Sequence, residues 1–386
     1  MYQFLVRTAV IVMLLGLFSV NFPTVQPLFA QGGPPCSAPF AVNITFTNGA
    51  RWDFCWEERA REGIVLRAIS FTPPGGPRRL VLTQASLAEI FVPYDDGSPR
   101  FHDLTGFGLG NSFMNNLTSA ECPGGVLRQN RGKNVLCLQI SGRGYAYKSS
   151  AGQKQGQRLN LFSTSNVGNY YYVVGWQFND NGVIQPSVQA TGKLLSDTSN
   201  ATYGWPLSAG ATRYSTSHIH NYYWRLDFDL NGSYGDRVEQ FDFGGVGTAL
   251  HPMNRTTFPT ETKQRIAPEN LRFWRVYDPT TVNPENHPIS YEVEMLAGHA
   301  HRGSEPWSHH DIYVTNYTGS EQLAADPVRP TNNVNSFVNG QAINDVVLWV
   351  GVTFHHVPRD EDEDSMHPHW SGFNLIPRDW TAKSYN

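Results

Sequence analysis

The chain reads as an all-β protein, a single large antiparallel β-sandwich. Its 386 residues include 25 Pro, 35 Gly and 13% aromatics. Strand-like runs recur between turn clusters, and long helical periods are few. No internal repeat is evident and no Pro/Ser-rich linker divides the chain, which favours one domain.

At the N-terminus, Arg7 precedes an apolar run from Thr8 to about Phe22. That run has the length of a secretory h-region and falls short of the ~20 residues of a membrane span. Residues 1–30 are therefore expected to be a signal peptide cleaved after Ala30, with an uncleaved anchor as the alternative. The mature chain, 31–386, is then secreted or periplasmic, with no membrane span. It holds four cysteines, Cys36, Cys55, Cys122 and Cys137, an even count that reads as two disulfides in an exported protein. Three pairings are open, and sequence order favours Cys36–Cys55 and Cys122–Cys137. A net charge of −4 with 16% charged residues gives no nucleic-acid surface. Sequons such as Asn43, Asn116 and Asn200 matter only in a eukaryotic source.

Strands are expected at Ile64–Phe71, Val135–Ile140, Tyr170–Phe178, His218–Leu230, Ser290–Met295, Asp311–Val314 and Val346–Phe354. Turn clusters at 73–77 (PPGGP) and 179–182 (NDNG) separate some of them, and the second returns the Tyr170 strand as a hairpin through Val183–Thr191. In "NVGNYYYVVGW", period two puts Tyr170, Tyr172, Val174, Trp176 and Phe178 on one face. Asn169, Tyr171, Val173, Gly175 and Gln177 take the other. Both faces are largely apolar, so a central strand covered on each side is expected, its tyrosines core filling.

The thirteen histidines cluster at His218-Ile-His220, His299-Ala-His301, His309-His310, His355-His356 and His367-Pro-His369. On a strand, an H-x-H pair projects both imidazoles from one face, where neutral nitrogens suit copper or zinc. "HIHNYYWRLDFDL" runs from imidazole to carboxylate, and "DVVLWVGVTFHH" runs from carboxylate to imidazole. Antiparallel pairing would bring His218 and His220 near His356, and Asp227 and Asp229 near Asp345. Two sites follow, a nitrogen-rich one for copper and an all-oxygen one for calcium, roughly 20–25 Å apart. Counted from His218 to Asp227 and from Asp345 to His356, the offsets are unequal, so a bulge or curved end is expected. Asp103, in "RFHDLTGFGLG", is a candidate base in an apolar pocket that would raise its pKa, or else an Asx-turn residue. Asp360–Asp364 reads as a solvated loop.

These segments resemble the catalytic domain of the copper-containing amine oxidases, from about Trp52 onward. Asn169-Tyr170 is similar to that family's quinone motif, which makes Tyr170 the precursor of topaquinone. The resemblance implies His218, His220 and His356 as copper(II) ligands. It implies Asp103 as catalytic base and Tyr94 as the tyrosine that hydrogen-bonds the quinone. Asn169 joins that catalytic set, and Phe101 is the gate. Cys122–Cys137 matches the family's internal disulfide. Asp227, Asp229 and Asp345, with the carbonyls of Phe228 and Val346, match its calcium-type site. The implied reaction is oxidative deamination of a primary amine by O2 to aldehyde, ammonia and hydrogen peroxide, in a homodimer. The resemblance implies a minimal version of the family, without its smaller N-terminal domains. Asn166 stands where the family usually has Ser or Thr, and Tyr171 where it has Asp or Glu. Those departures motivate the rival reading, a secreted metal-binding sandwich with this scaffold and no functional quinone. A calcium-dependent carbohydrate or adhesion module would leave Asp103 and His356 unexplained.

Overall fold

Alternating apolar positions sort the strands into two facing layers. The computed structural model describes residues 33–295 and 303–384. The expected signal peptide and the His299–His301 pair lie outside those residues. Among them, a nine-stranded antiparallel sheet runs in the order Ala41–Thr45, Arg51–Arg59, Gly63–Thr72, Arg79–Pro93, His218–Phe228, Val346–His356, Ile312–Asn316, Thr262–Gln264. Arg100–His102 pairs with Arg79–Pro93 off that path. A ten-stranded sheet runs Met253–Phe258, Arg237–Phe243, Phe273–Val282, Pro288–Met295, Met366–Arg378, Ile184–Gly192, Tyr170–Asn179, Gly152–Val167, Lys133–Ser149, Val126–Asn130. Their inner faces meet in one apolar cluster, in which Trp52 packs on Phe178 at 5.1 Å and Trp224 on Phe373 at 5.3 Å. This is the expected sandwich, and each strand expected from the sequence is present.

Both disulfides follow sequence order, with Cα–Cα distances of 6.0 Å for Cys36–Cys55 and 5.8 Å for Cys122–Cys137. Two expectations are corrected. The pairing of the His218 and Val346 strands runs unbroken from His218↔His356 to Asp227↔Val347, without a bulge. Continuing that register sets Asp229, not Asp227, opposite Asp345, and the offsets become equal. The bulges fall instead on the other edge of the His218 strand, against Arg79–Pro93. The Tyr170 strand is central in its sheet but covered on one side only: Tyr170 and Tyr172 are buried, while Tyr171 is 46% exposed. Among the described residues, no second layer packs on its outward side chains.

Candidate active site

Tyr170 begins its strand directly after a two-residue turn, Gly168–Asn169, closed by the pair Val167↔Tyr170. Gly168 has φ +59°, and Asn169 is not in the left-handed region, the pattern of a II′ hairpin. Asn166 braces this turn, its amide donating to the carbonyls of Gly168 (3.3 Å) and Tyr170 (3.1 Å). On the other side Gly192 pairs with Tyr170 so closely that a Cβ would stand 2.2 Å from the Asn169 carbonyl oxygen. The ring of Tyr170 is thereby fixed inward, 2% exposed.

Its hydroxyl shares a 2.5 Å hydrogen bond with the Tyr94 hydroxyl and lies 3.3 Å from His218 Nε2. His218 Nδ1 donates to the Thr216 carbonyl at 3.2 Å, so its proton sits there and Nε2 presents a lone pair. His356 Nε2 donates to the Asp362 carboxylate at 3.0 Å, leaving a lone pair on Nδ1. That Nδ1 is 3.3 Å from His218 Nε2. Two lone pairs thus face each other with no proton between them, an arrangement that a bound cation relieves. The His220 ring is 4.9 Å from that of His218 and edge-on to Tyr170, and its Nδ1 is buried without a partner. Burial, then the neighbouring imidazoles, push His218 down to about 3 and His220 well below the usual range. Burial also lowers His356. All three rings are therefore neutral nitrogen donors, and their residues fit copper. His355 points away, half exposed, to Asp95.

Asp103 opens a five-residue π-helical turn and is 3% exposed. Its carboxyl is pushed up to about 7, chiefly by burial and further by Glu89, while the Tyr172 hydroxyl and His102 oppose the rise. Tyr172 donates to Asp103 Oδ2 at 2.5 Å. Tyr172 is thus a working polar group, not strand filling. Its partner lies 69 residues back in sequence, so no local pattern reveals it. Glu89 was also missed: fully buried, it accepts from Thr105 and from His102 Nδ1 at 3.1 Å. Phe101 packs edge-on against Tyr94 and touches half-exposed Phe107, between the buried hydroxyls and the surface. Asn169 is exposed in the turn and donates to the Leu194 carbonyl, away from the reacting hydroxyls.

Burial pushes Asp227 up to about 6, with Asp345 adding and the Arg225 guanidinium opposing. It pushes Asp229 up to about 8, with Asp227 and Asp345 adding and the Thr83 hydroxyl opposing. Burial also raises Asp345, against Arg225. Oδ1 of Asp229 and of Asp345 is buried without a partner. Asp236 joins them, pushed to about 9 by burial first. Phe228 and Val346 flank this cluster in the chain. In the loop after His356, Asp362 is not solvated as expected but fully buried, because it receives the His356 N–H.

Residues 131–385 match the family model for the copper amine oxidase enzyme domain. The chain is 27% identical over 395 residues to a primary amine oxidase of Arthrobacter sp. (strain P1), covering 89% of this chain and 60% of the relative. A primary amine oxidase of Klebsiella aerogenes is 24% identical, over 92% of this chain and 55% of its own. The chain therefore spans about three-fifths of the length of these relatives. Among solved structures, a copper-containing benzylamine oxidase from Hansenula polymorpha shares the fold with a TM-score of 0.75 at 22% identity, covering 95% of this chain and 65% of that one. Turn, buried tyrosine and imidazoles thus meet a family match that spans most of the described sandwich: the chain belongs to the copper amine oxidase family.

Proposed function

We propose that the chain oxidises primary amines with O2 to aldehydes, ammonia and hydrogen peroxide, with copper(II) held by His218, His220 and His356 and topaquinone made from Tyr170. One observation carries it: His218 Nε2 lies 3.3 Å from both the Tyr170 hydroxyl and His356 Nδ1. Copper and the quinone, when present, supply the oxidation of Tyr170 and the sink for the two electrons taken from the amine. Tyr94 holds the Tyr170 oxygen, Phe101 screens the pocket from water, and Asp103 takes the proton from the carbon next to the amine nitrogen. Tyr171, on the outer face, leaves the Tyr170 ring uncrowded, and Asn166, where the family usually has Ser or Thr, braces the turn that presents Tyr170. The test is metal-free protein given copper in air: a phenylhydrazine-reactive chromophore and amine-dependent peroxide should appear. Peroxide formation without copper would refute the reading.

Tyr172→Phe removes the hydroxyl that steadies the Asp103 carboxylate. A hydrogen bond to a charged group contributes ~1.5–3 kcal/mol, so the acid limb of kcat/KM should move up by ~1–2 pH units. A pH profile checks this, and an unmoved limb would exclude the role.

The carboxylate cluster at Asp227, Asp229 and Asp345, with the Phe228 and Val346 carbonyls, is proposed to bind calcium. Its folded pKa values lie above the unfolded ones, so its contribution to stability is fully present below pH ~4 and is lost as pH rises through about 6 and 8. Calcium at a hundredfold excess over Kd should restore ~2.7 kcal/mol at pH 8 and little at pH 4. Thermal melts at both pH values measure it; no calcium response at pH 8 would refute the site.

Two disulfides support an oxidising compartment, secreted or periplasmic. No helix of the described residues is long and apolar enough to cross a membrane. A homodimer is part of the proposal. The hairpin tip with Val246 63%, Leu250 77% and Met253 58% exposed is apolar surface that fits a partner.

A further inference from the structure

Beside the proposed copper ligands lies an imidazole, His369, that the amine chemistry does not use. One ligand atom each from His356, Asp362 and His369 lie within 4.8 Å of one another. The His356–Asp362 hydrogen bond accounts for two of them and leaves His369 unexplained. His369 Nε2 is buried with no hydrogen-bond partner, a costly state for an imidazole nitrogen. Its ring stacks on Phe354 at 4.3 Å and lies 5.1 Å from the His356 ring, so its position is set by packing. Asp362 is equally fixed: its two oxygens accept from the backbone N–H of Arg359 (3.1 Å) and His367 (3.4 Å).

The geometry points to a second metal site, for a divalent ion of the zinc class, made by His356 Nε2, Asp362 and His369. Two imidazole nitrogens and one carboxylate oxygen, completed by water, form an open tetrahedral set for zinc. A closed set needs donors roughly 3.4 Å apart, so the more open donors must move inward by about an ångström. His369 is only half-buried, which leaves a path from solvent. It belongs to the Met366–Arg378 strand of the ten-stranded sheet and His356 to the nine-stranded one, so the ion ties the two layers together beside Tyr170. This rests on the copper reading in one respect: His356 serves the first ion through Nδ1 and the second through Nε2. With both bound, the ring gives up its remaining proton to solvent and bridges the two metals.

The test uses the full chain, loaded with copper, desalted, titrated with Zn2+ and counted by elemental mass spectrometry. Wild type should carry one copper and one zinc per chain. His369→Ala should keep the copper and carry no zinc, and His218→Ala should lose the copper and keep one zinc. Zn2+ should also alter the copper EPR spectrum of wild type, a readout that needs no variant. A single copper per wild-type chain, with an EPR spectrum that zinc does not change, would overturn the second site and leave the copper reading standing. Zinc lost with His369→Ala from a chain that never takes copper would do the reverse. Copper and zinc both retained in His369→Ala would also overturn it.

Discussion

Tyr170→Phe, loaded with copper and aerated, should form no phenylhydrazine-reactive chromophore and oxidise no amine, a fall of at least ~10⁶-fold. The phenol oxygen is the atom this variant removes, and it occupies the one place where a ring oxygen meets both Tyr94 and His218. The neighbouring tyrosines cannot substitute. Tyr171 faces outward, and the Tyr172 hydroxyl is engaged by Asp103. The structural cost is small by comparison: the buried Tyr94 hydroxyl loses one partner, ~1–3 kcal/mol. Copper content and melting temperature separate this from misfolding, since the three imidazoles remain. A chromophore that still forms in the copper-loaded Tyr170→Phe variant would sink the assignment.

What the sequence disclosed and what it withheld follow the range of each interaction. Alternation along Tyr170–Phe178 was enough to put Tyr170 and Tyr172 on one face, because period two is a local property, but with both faces apolar it could not say which one the sheet leaves open. The mirror order of imidazole and carboxylate in two distant segments was enough to pair His218 with His356, because a ladder repeats one register along its length. The same reasoning slipped by two residues at the acidic end, where Asp227 and Asp229 alternate too closely for spacing to choose between them. Tyr172 looked like packing, and Glu89 carried no signal at all, because their partners, Asp103 and the His102–Thr105 pair, come from separate segments of chain. Asp362 looked like surface because all five residues from Asp360 to Asp364 are acidic. Only the fold shows that this one carboxylate turns under His356.

Asp103→Asn should still form the chromophore, since the copper ligands and Tyr170 are untouched, yet turn over amine ~10²–10⁴-fold more slowly. The amide keeps the volume of the carboxyl and an oxygen to accept from Tyr172, but it takes up no proton at any working pH. In wild type the carboxyl, pushed up to about 7 by burial, must be ionised to act as a base, so kcat/KM should fall with unit slope below that pH. The residual activity of the Asn variant should lack that limb. Stability should move the opposite way. The folded pKa of Asp103 is raised above its unfolded value, so its contribution is intact below pH ~4 and is lost as pH rises through about 7. At pH 8 the variant, with no charge to bury, should melt above wild type, and at pH 4 the two should coincide. A base kept ready in an apolar pocket weakens the fold in its active ionisation state, and the variant exchanges activity for that stability. Full turnover in Asp103→Asn, or an acid limb unchanged in it, would remove Asp103 from the role.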